Sequence, residues 1–372
     1  MVRILEIPRE IRDIIFTYAL RGQRDPPSSP ASLCGEGCTR HYRPAKRYLP
    51  VHRHNFVRFE KLPAMNTSLA LQLVSRQIYS EMKGVMRREI SLRPDYHLDL
   101  MYLTDGSIWS GWTSLPVLTQ RVRTLYATFR LFDCPPELEN LIDGEPYSVF
   151  NGGDGGPPTI TWIFYDALNS LLNRGPWPNE RTTEDDLNAA TVKTLHRHRE
   201  PGMVMDNLVI DVLTSLDPEI LPLDCPSYRL DATRYPPWRF LFSRFTSGDK
   251  AIMELSEGEQ AATQLKRFIR EELDNIAKKY MQSYGELLYH RVGAIDIRLN
   301  GEPQDYIDLA VFPHLHPGSD YYNVSPRDKS RVSYAKWIVK TSKKRKEVGL
   351  PVAPLSLHQR TYLEESGVDY DA

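Results

Sequence analysis

The stretch GEQAATQLKRFIREELDNIAKKYMQSYGELLYHRVGAIDIRLNGEPQDYIDLAVF, residues 258–312, decides the fold class. In its first half Ala262, Leu265, Ile269, Leu273, Ile276 and Tyr280 recur at three and four residues, which predicts one amphipathic helix over about 258–288. The period then changes. Two short apolar runs, 292–299 and 306–312, have strand length and are separated by Asn300 and Gly301, a pair suited to a tight turn. Working outward, 122–131 reads as a strand, 160–172 as a helix ended by Asn173 and Gly175, and 208–213 as a buried strand. Helices alternating with strands predict an α/β or α+β body.

The N-terminal part has a different texture. Residues 7–21 predict a helix in which Pro8 suits the first turn, Ile11, Ile14, Ile15, Tyr18 and Ala19 form an apolar stripe, and Gly22 ends the run. Pro, Ser, Gly, Arg and His dominate about 23–65, a long basic connection with one extended piece near 51–59. A second helix is expected over 68–88, capped among Asn66, Thr67 and Ser68, with Leu71, Val74, Ile78, Met82 and Met86 on one face. Neither helix is stable alone, so the stripes are expected to bury each other, Ile11, Ile14 and Ile15 facing Val74, Ile78 and Met82. Arg76 is then placed to pair with Glu10 or Asp13. The expected organisation is a helical region over 1–92, a mixed body over 93–347 and a loosely held tail over 348–372. Residues 151–158 and 179–199 read as surface loops.

Composition narrows the function classes. With 41% hydrophobic and 26% charged residues the chain should fold, and a net charge of −1 gives no overall field toward nucleic acid or membrane. Four scattered cysteines, Cys34, Cys38, Cys134 and Cys225, are too few to staple 372 residues and fit a reducing compartment. No run of about 18 apolar residues suggests a membrane span, and the first residues lack the apolar core of a signal peptide, so an intracellular, cytoplasmic or nuclear protein is expected.

The segment LEIPREIRDIIFTYAL, residues 5–20, resembles the opening of a large fungal family of F-box-like proteins, whose first helix begins Leu-x-x-Pro-x-Glu-Ile/Leu-Arg. LQLVSRQIYSE, residues 71–81, resembles that family's second helix, an apolar run leading into Arg-Gln-Ile-Tyr-x-Glu. The resemblance implies an F-box-like helical hairpin followed by a mixed strand and helix body. It also implies a non-catalytic interaction adaptor that docks on a small adaptor of a cullin-type ubiquitin ligase while the body selects a substrate. The residues it marks for partner binding are Leu5, Pro8, Ile11, Ile14, Ile15, Leu73, Arg76, Ile78 and Tyr79. The chain departs from the compact motif by the more than forty residues between the two segments.

Catalytic and metal-binding patterns are weaker. Cys34, Cys38 and His41, with His52 or His54, are spaced permissively for zinc, but unligated thiols in a basic loop are the simpler reading. His196 and His198 alternate with arginines, and His314 and His316 lie between prolines, so neither pair predicts a metal. No phosphate loop, nucleophile elbow or His-Glu-x-x-His motif is present, and no cofactor is expected. The basic, aromatic-bearing stretch 39–61 leaves a nucleic-acid-associated protein as one alternative, and a hydrolase assembled from distant residues as another. Lys343, Lys344, Arg345 and Lys346 resemble a nuclear-import signal and are expected to be exposed.

Overall fold

Four largely buried runs of the chain, each with an apolar face to cover, line up as neighbouring parallel strands and set the architecture. The computed structural model describes residues 4–30, 39–41, 57–60, 72–103, 107–132, 159–176, 202–214, 257–278, 283–312 and 327–369. The strands are β1 (Thr39–His41), β2 (Val57–Glu60), β3 (Tyr96–Leu103), β4 (Ile108–Ser114), β5 (Arg121–Phe132), β6 (Val204–Leu213), β7 (Val292–Leu299) and β8 (Glu302–Asp308). The helices are α1 (Arg9–Leu20), α2 (Arg76–Leu92), α3 (Thr159–Arg174), α4 (Glu257–Lys278), α5 (Ser283–Arg291), α6 (Arg327–Glu347) and α7 (Leu357–Ser366). Among the described residues the strands form one mixed sheet in the order β1-β2-β4-β3-β5-β6-β7-β8. β3, β5, β6 and β7 are parallel, β4 and β8 flank them antiparallel, β2 is parallel to β4, and β1 closes the row antiparallel to β2. The expected α/β or α+β class is what the structure contains.

One face of the sheet carries the core. Leu98, Leu125, Ala127, Leu208, Ile210, Ile295 and Ile297 pack with Phe164 and Leu168 of α3, Leu265, Phe268 and Ile269 of α4, Leu288 of α5, and Tyr334 and Ile338 of α6. A smaller cluster on the opposite face joins Met101, Leu103, Trp109 and Phe132. The segment following α1 is fastened to this side by arginines. Arg24 donates from its backbone N–H to the carbonyl of Thr113 (2.9 Å) and from Nε to that of Trp112 (2.8 Å). Arg130 donates to both oxygens of the buried Asp99 at 2.7 Å and to the carbonyl of Pro27 at 2.6 Å. Burial nevertheless holds the Asp99 carboxyl above its ordinary range, with Arg130 opposing the shift.

Several expectations need correction. The single helix expected over 258–288 is two, α4 and α5; residues 279–282, including Tyr280, lie outside the described residues. Gly285, a poor helix former, sits in the first turn of the second. The last strand is Glu302–Asp308, not 306–312. Asn300 (φ 52°) and Gly301 (φ 83°) make the turn alone, so pairing resumes at Glu302 opposite Leu299, and Leu309 and Phe312 turn back into the core. β8 is an edge strand, largely exposed and acidic, with Pro303 in its backbone. The hairpin of β3 and β4 had no counterpart in the sequence reading.

The tail is also ordered. α7 begins with a reciprocal capping box between Ser356 and Gln359, and Tyr362 and Leu363 are buried. Its approach is held by Arg345, expected to be exposed but wholly buried: the guanidinium donates to the carbonyls of Tyr289 (2.5 Å), Val292 (2.9 Å) and Pro351 (2.8 Å). Desolvation pushes its pKa down to about 10, still charged at neutral pH. Lys336, Lys340, Lys343, Lys344 and Lys346 do face solvent, because they occupy the other side of α6. On the sheet's lower end Arg121 donates to the carbonyls of Val348 and Gly349 and pairs with Asp206 at 3.1 Å. Gly349 has a φ of 70°, a left-handed conformation that favours glycine, and a Cβ there would push the Arg121 guanidinium out of its place.

Arg345→Ala strands three carbonyls and opens a void, and is expected to lower the unfolding free energy by about 3 kcal/mol in urea denaturation. Lys344→Ala, on the exposed side of the same turn, should change it by less than about 0.5 kcal/mol.

Candidate functional site

α1 is short, and apolar on two sides. Its inner side places Phe16 and Leu20 against Ile78, Met82 and Val85 of α2, with Val117 closing the cluster from the connection before β5. Pro8 sits immediately before the helix, where its missing N–H costs no bond, and its carbonyl accepts from Ile11 and Arg12. α2 starts at Arg76, with the Ser75 hydroxyl accepting from the Ile78 N–H, instead of the cap expected among residues 66–68, which lie outside the described residues.

Three ion pairs cross between the helices. Arg12 donates from Nε and Nη2 to the two oxygens of Glu81 at 2.8 and 2.5 Å, with both partners buried, and Gln77 adds a third bond to Glu81 at 3.1 Å. Arg12 also donates to the carbonyls of Leu5 and Ile7, tying the lead-in turn Ile4–Glu6 to the helix. Arg21 meets Glu89 at 2.9 Å and Arg88 meets Asp13 at 2.9 Å. Pairs advance along both helices together, so α1 and α2 run side by side in the same sense, not as an antiparallel hairpin. The expected pairing of Arg76 with Glu10 or Asp13 is replaced by these.

The six residues expected between the helices divide. Ile78 and Met82 are buried there, whereas Ile11, Ile14 and Ile15 are 47%, 51% and 37% exposed, and Val74 precedes α2 in the open. The reason lies in α1's two stripes: Arg12 must reach Glu81, and that turns Phe16 and Leu20 inward and the isoleucines outward. The outer side therefore presents Ile11, Ile14, Ile15 and Tyr18, and Leu5 is exposed in the turn before the helix. Beside it runs a groove of about 360 Å³ bordered by Asp13, Ile14, Thr17, Tyr18, Arg21 and Arg88.

Of the residues marked for partner binding, Ile11, Ile14 and Ile15 share this outer side of α1, and Leu5 and Pro8 are exposed just before the helix. Leu73 is exposed ahead of α2, and Arg76 and Tyr79 lie on the side of α2 turned away from α1. Ile78 is 1% exposed and belongs to the core between the helices, so it is withdrawn from the surface.

Other candidates fare as follows. Among the described residues no group of three or more His, Cys, Asp or Glu side chains could hold a metal. Cys34, Cys38, His52, His54, His196, His198, His314 and His316 lie outside the described residues, as do Cys134 and Cys225 and the expected loops 151–158 and 179–199, while only the backbone of His41 is described, in β1. Of the basic stretch 39–61, Arg58 is buried with its guanidinium 4.3 Å from the Trp109 ring centre. Buried Glu272 accepts from Thr161 (3.0 Å) and Tyr165 (2.9 Å), joining α3 to α4. An apolar cavity of about 30 Å³ between the sheet and α3, lined by residues such as Leu100, Phe129 and Leu171, has no room for an organic substrate. No helix among the described residues is long and apolar enough to cross a membrane.

The Arg12 guanidinium, as hydrogen-bond donor and neighbouring charge, holds the Glu81 carboxyl below its ordinary value of 4.5 against the opposing effect of burial. A depressed carboxyl contributes stability above its unfolded pKa and loses it as pH falls through the folded pKa. The difference in melting temperature between wild type and Glu81→Gln is therefore expected to be full at pH 7 and to shrink as pH drops below about 4.5, which thermal scans from pH 7 to 3 will read.

Compared with known proteins, the chain matches no family model, no curated protein and no solved structure.

Proposed function

We propose that this chain is a non-catalytic adaptor in which the outer side of α1 recruits a protein partner and the α/β body presents a separate recognition surface. One observation carries the reading. A 12-residue helix has spent one apolar side on the fold and still exposes Ile11, Ile14, Ile15 and Tyr18 together on the other, with Leu5 exposed in the turn before it. Single exposed apolar residues are ordinary, but a contiguous row on one helix face marks an interaction surface. Helix-in-groove recognition uses anchors at this spacing, and the bordering Asp13, Arg21 and Arg88 supply a charged rim. The resemblance of residues 5–20 and 71–81 to F-box-like proteins supplies the class of partner, a small adaptor of a cullin-type ubiquitin ligase.

Because Ile14 is half exposed, Ile14→Asp is expected to shift stability by only about 0.5 kcal/mol and to leave the circular dichroism spectrum unchanged. The same change, combined with Tyr18→Ala, should lower retention of the chain on an immobilised ubiquitin-ligase adaptor at least tenfold. Wild type that is not retained at all removes the ligase assignment. Wild type and variant retained equally removes α1 as the docking face.

A further inference from the structure

The side of α2 turned away from α1 is basic without compensation. Six charged residues lie in Arg76–Leu92, and its two carboxylates, Glu81 and Glu89, are both buried in the pairs with Arg12 and Arg21. What remains outside is Arg76, Lys83, Arg87 and Arg88, and Arg93 follows the helix. Arg88 is matched by Asp13 and Arg93 by Asp206. Arg76, Lys83 and Arg87 are exposed and meet no carboxylate among the described residues; Lys83 rests 4.8 Å from the Tyr79 ring centre. Spacings of seven and four residues put these three on one line, about 16 Å from end to end at 1.5 Å per residue. The side chains interleaved with them, Gln77, Tyr79 and Ser80, can all donate hydrogen bonds, and beside the line nothing stands within 4 Å of where a Cβ on Gly84 would project.

From this we infer that the outer side of α2 is a nucleic-acid-binding surface that contacts the phosphate backbone of a duplex through Arg76, Lys83 and Arg87. Charge selects a polyanion, and shape selects among polyanions. The stripe is a straight convex ridge of the diameter a major groove admits, with no apolar pocket to seat the side chains of an acidic peptide. Its exposed aliphatic side chains, Leu73 and Val74 before the helix and Ile90 and Leu92 in its last turn, stand beyond the two ends of the basic line and form no continuous apolar face to insert into a lipid surface. α6 also exposes lysines, but there Lys340 and Lys344 are matched by Glu286 and Glu347. This surface lies on the opposite side of the paired helices from Ile14 and Tyr18, so it is independent of the partner-docking face.

The test is fluorescence anisotropy of a labelled 20-base-pair duplex of DNA, and of RNA, titrated with the full chain. Three released counterions predict a slope of about −2.7 in log affinity against log salt, or about a 40-fold loss between 50 and 200 mM KCl. Arg76→Gln, Lys83→Gln and Arg87→Gln together should abolish that dependence with unchanged circular dichroism, and Lys83→Ala alone should reduce the slope by about 0.9. Changing Lys336, Lys343 and Lys346 to Gln, and Ile14→Asp, should leave it unchanged. No binding to either duplex overturns the inference. So does a triple variant that binds like wild type, an equal loss in the α6 variant, or equally tight binding to polyglutamate or phosphatidylserine vesicles.

Discussion

Parallel strands cannot be joined by a tight turn, and everything else in this fold follows from how the four in the middle are connected. Each step, β3 to β5, β5 to β6 and β6 to β7, moves one place in the same direction across the sheet. Crossovers between parallel strands are right-handed, so steps in one direction keep the connecting helices on one side. α3, α4 and α5 therefore share the face that carries Leu125, Leu208 and Ile295, and α6, which follows β8, packs against the same core. Among the described residues no helix of those connections packs on the other face. That face can hold Asp99, Arg130, Thr128, Asp211 and Arg298, and part of it is covered by the segment that follows α1. The N-terminal helices are thereby set at the side of the sheet, where one face of each remains free.

Arginine is the fastener at six places where separate stretches of chain meet. Arg12, Arg24, Arg121, Arg130, Arg291 and Arg345 each donate to at least one backbone carbonyl of a distant or neighbouring segment. A guanidinium suits the task because its fixed fork of donors satisfies several acceptors that would otherwise be buried unpaired. Lysine could not replace it at Arg345, where three carbonyls approach from different directions.

Local chemistry was legible in the sequence; the choice between equivalent faces was not. Asn300 and Gly301 announce their turn because both residues tolerate positive φ, and β5, β6 and β7 announce themselves by apolar residues recurring on the face that meets the helices. β3 and β4 did not, since His97, Asp99, Ser110 and Gly111 break their apolar runs. Asp99 is tolerated at 2% exposure only because Arg130, thirty-one residues away, neutralises it. In α1 two apolar stripes fit the helical period equally well, and only the reach from Arg12 to Glu81 decides which turns inward. Arg345 is hidden in a run of lysines, and nothing local separates a buried guanidinium from exposed ammonium groups one position away. α7 was unreadable for a related reason: its few buried residues complete a core made elsewhere.

The clasp formed by Arg121 has a consequence for the order in which the molecule can be completed. Its guanidinium joins the start of β5 to Asp206 and to the carbonyl of Gly349, 228 residues further along the chain. During synthesis, β3, β4 and β5 emerge long before that carbonyl exists, so the central strands assemble with one end unfastened. Contacts of such long sequence separation form late because the intervening loop must close first. The last helices thus act as a latch on a sheet laid down from the opposite end of the sequence, and a chain released short of Gly349 would leave Arg121 with Asp206 but without its two carbonyl partners.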